Sequence, residues 1–192
     1  MNLLNAGCGT HYAKGWTNVD VWESETTKPD VVVPPGDPYP FEDNYFDAIF
    51  LGHVLEHMDW GSMPRFMEDM RRVCKPGGRI LIVGPDVLKT IQRWKEGLEP
   101  WHMVLSTMEH QEHNFQPGRE EEWWDGATHH WNCHHQRVWD LLEGMGFTDL
   151  EDYYDLIPND TQAKTWHDEA TGITWPVVGK WFWQFAIHLT AK

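Results

Sequence analysis

Asn5-Ala6-Gly7-Cys8-Gly9-Thr10 follows directly on Leu3-Leu4, so a short apolar run stops at a glycine turn within the first ten residues. Such a run ended by Gly-x-Gly reads as a β-strand whose backbone then turns sharply. Thr17-Asn18-Val19-Asp20-Val21 and Asp30-Val31-Val32-Val33 are β-branched and read as a second and a third strand. About ten residues separate Gly9 from Asp20, and a similar number separates Asp20 from Asp30. A helical crossover between parallel strands needs about a dozen residues or more. The first two crossovers are therefore expected to be loops or single turns.

Further along, Pro34 to Pro40 has no room for regular structure, and Phe46 to Gly52 reads as a buried fourth strand. Met63 to Cys74 places Phe66, Met67, Met70 and Val73 at helical spacing, and Lys75-Pro76-Gly77-Gly78 stops it. Arg79 to Gly84 is a fifth strand, and a helix is expected from Asp86 to Glu96. Residues 97–133 lack clean periodicity. His134 to Met145 resumes helical spacing through Val138, Leu141 and Leu142 until Gly146 stops it, and Leu150–Tyr154 and Trp181–Ala191 are the last strand candidates. Strands alternating with helices imply an open, mostly parallel α/β sheet.

The chain has 192 residues, a length that fits one domain spanning 1–192 with a core that needs neither disulfides nor a structural metal. Its 15 Lys+Arg against 30 Asp+Glu give a formal charge of −15, which repels phosphate backbones and argues against nucleic acid as a partner. No run approaches 18 apolar residues, so no membrane partner is expected. The first residues lack the charged and apolar regions of a signal peptide. Three widely spaced cysteines, Cys8, Cys74 and Cys133, suit a reducing cytoplasm. The unusual counts are 13 Trp and 12 His, with seven of the histidines between His102 and His135.

Four segments in order carry a family likeness. They are Asn5 to Thr10, then Asn18-Val19-Asp20, then Tyr39 to Asp47 running into His53-Val54-Leu55-Glu56-His57, then Arg72-Val73-Cys74-Lys75-Pro76-Gly77-Gly78-Arg79-Ile80. Together they resemble the class I S-adenosylmethionine-dependent methyltransferases, nearest to the small group associated with polysaccharide or small-metabolite methylation. The likeness is close over 3–86, loose over 134–154, and absent from about 97–128 and 157–180. It implies a Rossmann-like, mostly parallel seven-stranded sheet with helices on both faces, an antiparallel last strand, and S-adenosylmethionine as cofactor. Segments 97–133 and 155–180 then become substrate-side insertions.

The residue types fit that chemistry. Gly7 and Gly9 let backbone pass beside a ligand, and an acid ending a second strand can accept both hydroxyls of a ribose, the place Asp20 holds. Asn5, Ala6, Gly7, Gly9, Asp20 and Val21 form the expected cofactor cradle. The resemblance adds Leu51, Gly52 and His53 at the methionine end and the loop around Gly36 and Asp37 at the adenine. Pro34 stands where the family often has an acid, and the helix that usually precedes the first strand has no counterpart here. Asp86 is expected at the same crevice.

An oxygen acceptor also needs a base, and histidine is the natural one near neutral pH. His53, nearest the methyl, and His130, facing the acceptor, are the candidates, with Glu56 and His57 read as structural. No metal ligand set is assigned. The alternative is a metal-binding, hydrolase-like module built on His130, His134 and Cys133 and completed by His110, His113 or Asp125. A second alternative is a non-catalytic interaction protein with a degenerate cofactor site. Trp94, Trp139 and Trp181 sit on expected core faces. Trp123, Trp124, Trp131, Trp166 and Trp175 fall in loops, where they can stack on a sugar or small-molecule acceptor or support a homo-oligomer.

Overall fold

Period-2 burial shows how the strands divide the core. In β4 (Phe46–Gly52), Ile49 and Leu51 face one side of the sheet while Ala48 and Phe50 face the other. In β5 (Cys74–Pro85), Ile80 and Ile82 oppose Leu81 and Val83 in the same way. The computed structural model describes residues 1–108, 129–159, 164–176 and 180–191.

The sheet has seven strands, adding β1 (Leu3–Ala6), β2 (Thr17–Asp20), β3 (Val31–Val32), β6 (Glu151–Asp152) and β9 (Gln184–Thr190). Their order is β3-β2-β1-β4-β5-β9-β6. The pairs from β3 to β5 are parallel, and β9 runs antiparallel to both β5 and β6. This is the expected Rossmann-like sheet with its antiparallel last strand. As expected from the spacing, neither of the first two crossovers contains a helix.

One face is covered by α1 (Met63–Val73) and α4 (His135–Gly144). From α1 it buries Met63, Met67, Met70 and Val73, and from α4 Val138 and Leu142. Each such side chain contributes about 1.5–3 kcal/mol of transfer free energy. Pro64 starts α1 where a missing N–H costs nothing, and extended Cys74 ends it. α2 (Val87–Lys95) begins at Asp86, whose carboxylate accepts the N–H groups of Leu88 and Lys89.

The other face departs from expectation. Helices were expected on both sides, but among the described residues the second apolar layer has other sources. It draws on Ala13 and Trp16, the 3-10 turn region from Tyr153 to Ile157, and a hairpin of β7 (Trp166–Asp168) and β8 (Ile173–Trp175). Among the described residues the short crossovers supply that face with no helix, and Trp175, fully buried with its ring 5.8 Å from that of Trp16, fills the space. The hairpin lies inside the segment read as the 155–180 insertion. Within 97–133, α3 (Trp101–Met108) forms where periodicity gave no signal, and 109–128 lies outside the described residues.

The tryptophan assignments invert in part. Trp94 and Trp181 are exposed, while Trp131 and Trp175, both expected in loops, are buried, and Trp175 lies in β8. Trp131 donates its indole N–H to the Leu55 carbonyl at 2.9 Å, which satisfies its polar edge in the core.

Candidate functional site

The strand order reverses at the centre of the sheet. The chain moves outward from β1 through β2 to β3, then returns to place β4 on the other side of β1. A crevice opens at such a switch point, outside the carboxyl ends of the strands. Register brings Ala6 level with both Val19 and Leu51, and Leu51 level with Ile82. One residue further on, Gly7, Asp20 and Gly52 stand side by side at the crevice.

The glycine turn is shaped for a close approach. Gly7 has φ +72° and its missing Cβ would overlap the Val54 side chain, whereas Gly9, at φ +50°, faces open space where a Cβ would be. Asp20 is almost fully buried, and its Oδ2 accepts the Gly9 N–H at 2.7 Å. Its Oδ1 accepts the N–H of Val21 at 2.8 Å. Each carboxylate oxygen keeps a further acceptor site, so the residue can hold the loop and still receive hydroxyl donors. This cradle fits a ribose-bearing cofactor.

The missing crossover helices are replaced by polar contacts. Asn5 donates to Asn18 Oδ1 at 2.9 Å and to the His11 carbonyl at 3.0 Å. Asp30 accepts the backbone and side-chain N–H groups of Asn18, and the Tyr12 hydroxyl donates to it at 2.9 Å. Burial raises the Asp30 carboxyl's pKa, but the Asn18 and Tyr12 bonds outweigh that and hold it below the usual range. Asn5 therefore supports the loop, and Ala6, buried in β1, packs in the core. Asp37 is exposed on the loop after β3, with its backbone N–H bonded to the Pro34 carbonyl. Burial, with Asp20 beside it, pushes the Cys8 thiol up to about 12, so it stays protonated.

His53 begins the segment after β4 at φ +57°, its backbone N–H bonded to the Val83 carbonyl. Its Nδ1 lies 2.9 Å from Glu56 Oε1, and its Nε2 lies 2.7 Å from the Gln184 amide nitrogen. Gln184 Oε1 accepts the Trp181 N–H, so its amide nitrogen faces the ring as a donor. Nε2 must then carry the lone pair and Nδ1 the proton, donated to Glu56. Burial raises the pKa of the fully buried Glu56, but the His53 bond and the nearby His57 and His129 outweigh it and lower it. Trp183 packs edge-on to His53 at 5.5 Å and stacks on Trp181, giving the crevice an aromatic wall.

The histidine-rich stretch divides differently from its H-x3-H spacing. His130 is exposed and its backbone N–H bonds the Glu56 carbonyl. His134 caps α4, its Nδ1 accepting the Arg137 N–H at 3.2 Å, so the two imidazoles do not share a helix face. Cys133 is buried, and burial raises its thiol well above the usual range. His110, His113 and Asp125 lie outside the described residues.

Sequence reasoning missed three contributors. Gln184 and Trp183 reach the crevice from the antiparallel last strand and its approach, over 130 residues from His53 in the case of Gln184. His129, neighbour of the singled-out His130, points inward against His57 with ring centroids 5.0 Å apart. Only its place in a histidine cluster marked it, because a non-periodic segment gives no face.

Comparison with known proteins bears on this crevice. Residues 4–82 match the family model described as a methyltransferase domain. Two solved structures of S-adenosylmethionine-dependent methyltransferases share the fold. One, from Thermotoga maritima and described as a possible histamine N-methyltransferase, is 14% identical with TM-score 0.55, covering 100% of this chain and 82% of its own. The other, from Archaeoglobus fulgidus, is 16% identical with TM-score 0.50, covering 98% and 85%.

The fold is that of the class I S-adenosylmethionine-dependent methyltransferases.

A further structure with this methyltransferase fold, a Burkholderia thailandensis 1,6-didemethyltoxoflavin-N1-methyltransferase, holds S-adenosylhomocysteine. It is 12% identical with TM-score 0.50, covering 99% of this chain and 70% of its own. Among curated proteins, the chloroplastic tocopherol O-methyltransferase of Arabidopsis thaliana is 35% identical over 66 residues. That stretch is 34% of this chain, and the chain spans under a fifth of that relative's length. The matched domain and the methyltransferase fold support S-adenosylmethionine as the cofactor. Among the described residues, no helix is long and apolar enough to cross a membrane.

Proposed function

We propose that the protein transfers a methyl group from S-adenosylmethionine to an oxygen of a sugar or another small polar metabolite. The observation that carries the reading is the Asp20–Gly9 contact: an acid at the end of β2 holds the glycine turn of β1 at the switch point. S-adenosylmethionine, when bound, supplies a methyl group already activated by its sulfonium. The chain's task is then to align an acceptor and exclude water. In this reading Asp20 receives the ribose hydroxyls, Gly7 and Gly9 allow close approach, and Leu51, Gly52 and His53 border the methionine end.

The oxygen acceptor is in line with the short match to a relative named as an O-methyltransferase. The stacked Trp181 and Trp183 offer a surface for a ring-shaped acceptor. As the acceptor oxygen bonds to the methyl carbon, the S–CH3 bond of bound S-adenosylmethionine would break and S-adenosylhomocysteine would leave. His53 Nε2, exchanging the Gln184 amide for the acceptor hydroxyl, would take that hydroxyl's proton. Glu56 orients the ring through Nδ1 and stabilises the imidazolium, and such a base contributes about 10²–10⁴-fold. His130, exposed beside the same segment, is the second candidate.

Titration calorimetry with S-adenosylhomocysteine tests the cofactor assignment. Asp20→Ala should weaken binding by about 1.5–3 kcal/mol, the scale of losing charge-assisted hydrogen bonds. Asp20→Asn, which can still accept one hydroxyl, should fall between. Equal affinities in all three proteins would refute the reading.

A further inference from the structure

Glu56 is fully buried, yet only one of its oxygens is used. Oε1 is bonded to His53, while Oε2 has no hydrogen-bond partner among the described residues. A buried carboxylate oxygen without a donor is costly, and native proteins rarely leave one without a use. Two imidazoles, those of His57 and His129, lie near this carboxylate. One ligand atom each from Glu56, His57 and His129 fall within 4.8 Å of one another, the one such group of three among the described residues.

The orientation of His129 adds an independent observation. Its Nδ1 lies 3.0 Å from the Thr107 carbonyl, which can only accept, so Nδ1 carries the proton and Nε2 the lone pair. A ring N–H donated to a backbone carbonyl is the usual outer contact of a metal-binding histidine. The His53–Glu56 bond fixes the carboxylate in the same manner. The group also sits where ligands bind in this fold: Glu56 follows β4, and its Oε2 lies beside the backbone of Gly84 near the carboxyl end of β5.

We propose that Glu56, His57 and His129 form a site for a divalent first-row transition ion such as Zn²⁺ or Co²⁺. Two nitrogens and one carboxylate oxygen suit such an ion and not Ca²⁺ or Mg²⁺, which prefer all-oxygen sites. Three protein ligands leave a fourth position for water or an acceptor oxygen. Ligand distances of about 2.0–2.2 Å put neighbouring ligand atoms about 3.3 Å apart in a tetrahedron, so binding draws the widest pair together. Binding stands apart from the methyl-transfer reading. Only the ion's use, lowering the pKa of an acceptor hydroxyl beside His53, rests on that reading.

The test is metal binding by chelator-treated full-length protein, read by titration calorimetry with Zn²⁺ and by the visible spectrum of Co²⁺. The native chain should bind one equivalent, and Ca²⁺ should not compete. His57→Ala and His129→Ala should each weaken Zn²⁺ binding tenfold or more and alter the Co²⁺ spectrum. His167→Ala, at an exposed position of β7, should leave both unchanged and controls for stray histidine binding. Glu56→Gln should behave like the histidine variants; if it fails to fold, the two histidine variants decide. Absence of Zn²⁺ binding at tenfold excess overturns the proposal, as does binding that neither histidine change weakens. S-adenosylhomocysteine affinity, measured on the same preparations, separates failure of the metal site from failure of the cofactor site.

Discussion

His188 should make this protein acid-labile in a defined pH window. It lies on β9 with 1% of its surface exposed, stacked on Tyr153 at 4.3 Å, and neither ring nitrogen has a hydrogen-bond partner among the described residues. Burial, with Arg79 nearby, lowers its pKa from 6.5 to about 4, against a smaller opposing pull from Asp168. Glu151 Oε2 is 3.7 Å from Nδ1, but it is solvent-exposed and contributes little. Above pH 6.5 the ring is neutral in both folded and unfolded chains, so it adds no pH dependence. Between 6.5 and about 4 the unfolded chain takes a proton that the folded chain refuses, and stability falls as pH falls. At about 1.4 kcal/mol per pH unit, the loss is about 2 kcal/mol at pH 5 and about 3 kcal/mol once pH reaches the folded value. His188→Phe keeps the ring stack and removes the titration. In urea melts from pH 8 to pH 5, the native chain should lose about 2 kcal/mol relative to the variant. At pH 8 the variant should be at least as stable, because two orphaned nitrogens are gone. Parallel curves for the two proteins would refute the reasoning.

Trp175→Ala should cost about 3–5 kcal/mol in chemical denaturation, since it empties the centre of the second layer between the β7–β8 hairpin and Trp16. Gly7→Ala should lower both melting temperature and S-adenosylhomocysteine affinity, because φ +72° and the Val54 side chain both oppose a Cβ. Asp30→Ala should destabilise by about 1–2 kcal/mol while leaving far-UV circular dichroism unchanged, since Asp30 itself lies in a loop and the Asn18 donors it leaves without a partner belong to a strand still paired through its backbone.

The first 86 residues were legible because their signals are local. Gly7 and Gly9 mark the end of β1, Asp20 the end of β2, and the ten-residue spacings excluded crossover helices without reference to any structure. The methionines of α1 declared their face by spacing, and Lys75 to Gly78 declared its end. The second half lacked such signals. Trp175 is buried by a hairpin whose strands have three residues each, too short for alternation to show. Trp94 kept its helical spacing yet lies exposed, because α2 packs beside α3 and Trp94 meets Trp101 at its surface. At the site, the side chain on each strand end could be read, but its companions could not. Gln184 meets His53 through antiparallel pairing, and pairing between distant segments is a tertiary fact.

The Asn5–Asn18–Asp30–Tyr12 contacts tie down the edge of the sheet where helices would otherwise bury apolar surface. The outer of these contacts, from Tyr12 to Asp30, lies at the solvent, where water can replace a partner, so the network opens more readily than a packed helix. The β1–β3 edge should therefore exchange its amide hydrogens through sub-global openings well below the free energy of complete unfolding. Amides of β4, β5 and β9 should exchange only when the whole chain opens. A ligand seated on Asp20 and the glycine turn would close that gap, slowing exchange at the edge much more than at the centre. Occupancy of the crevice would then register as cooperativity: two unfolding units in the free protein, merging into one when it is filled.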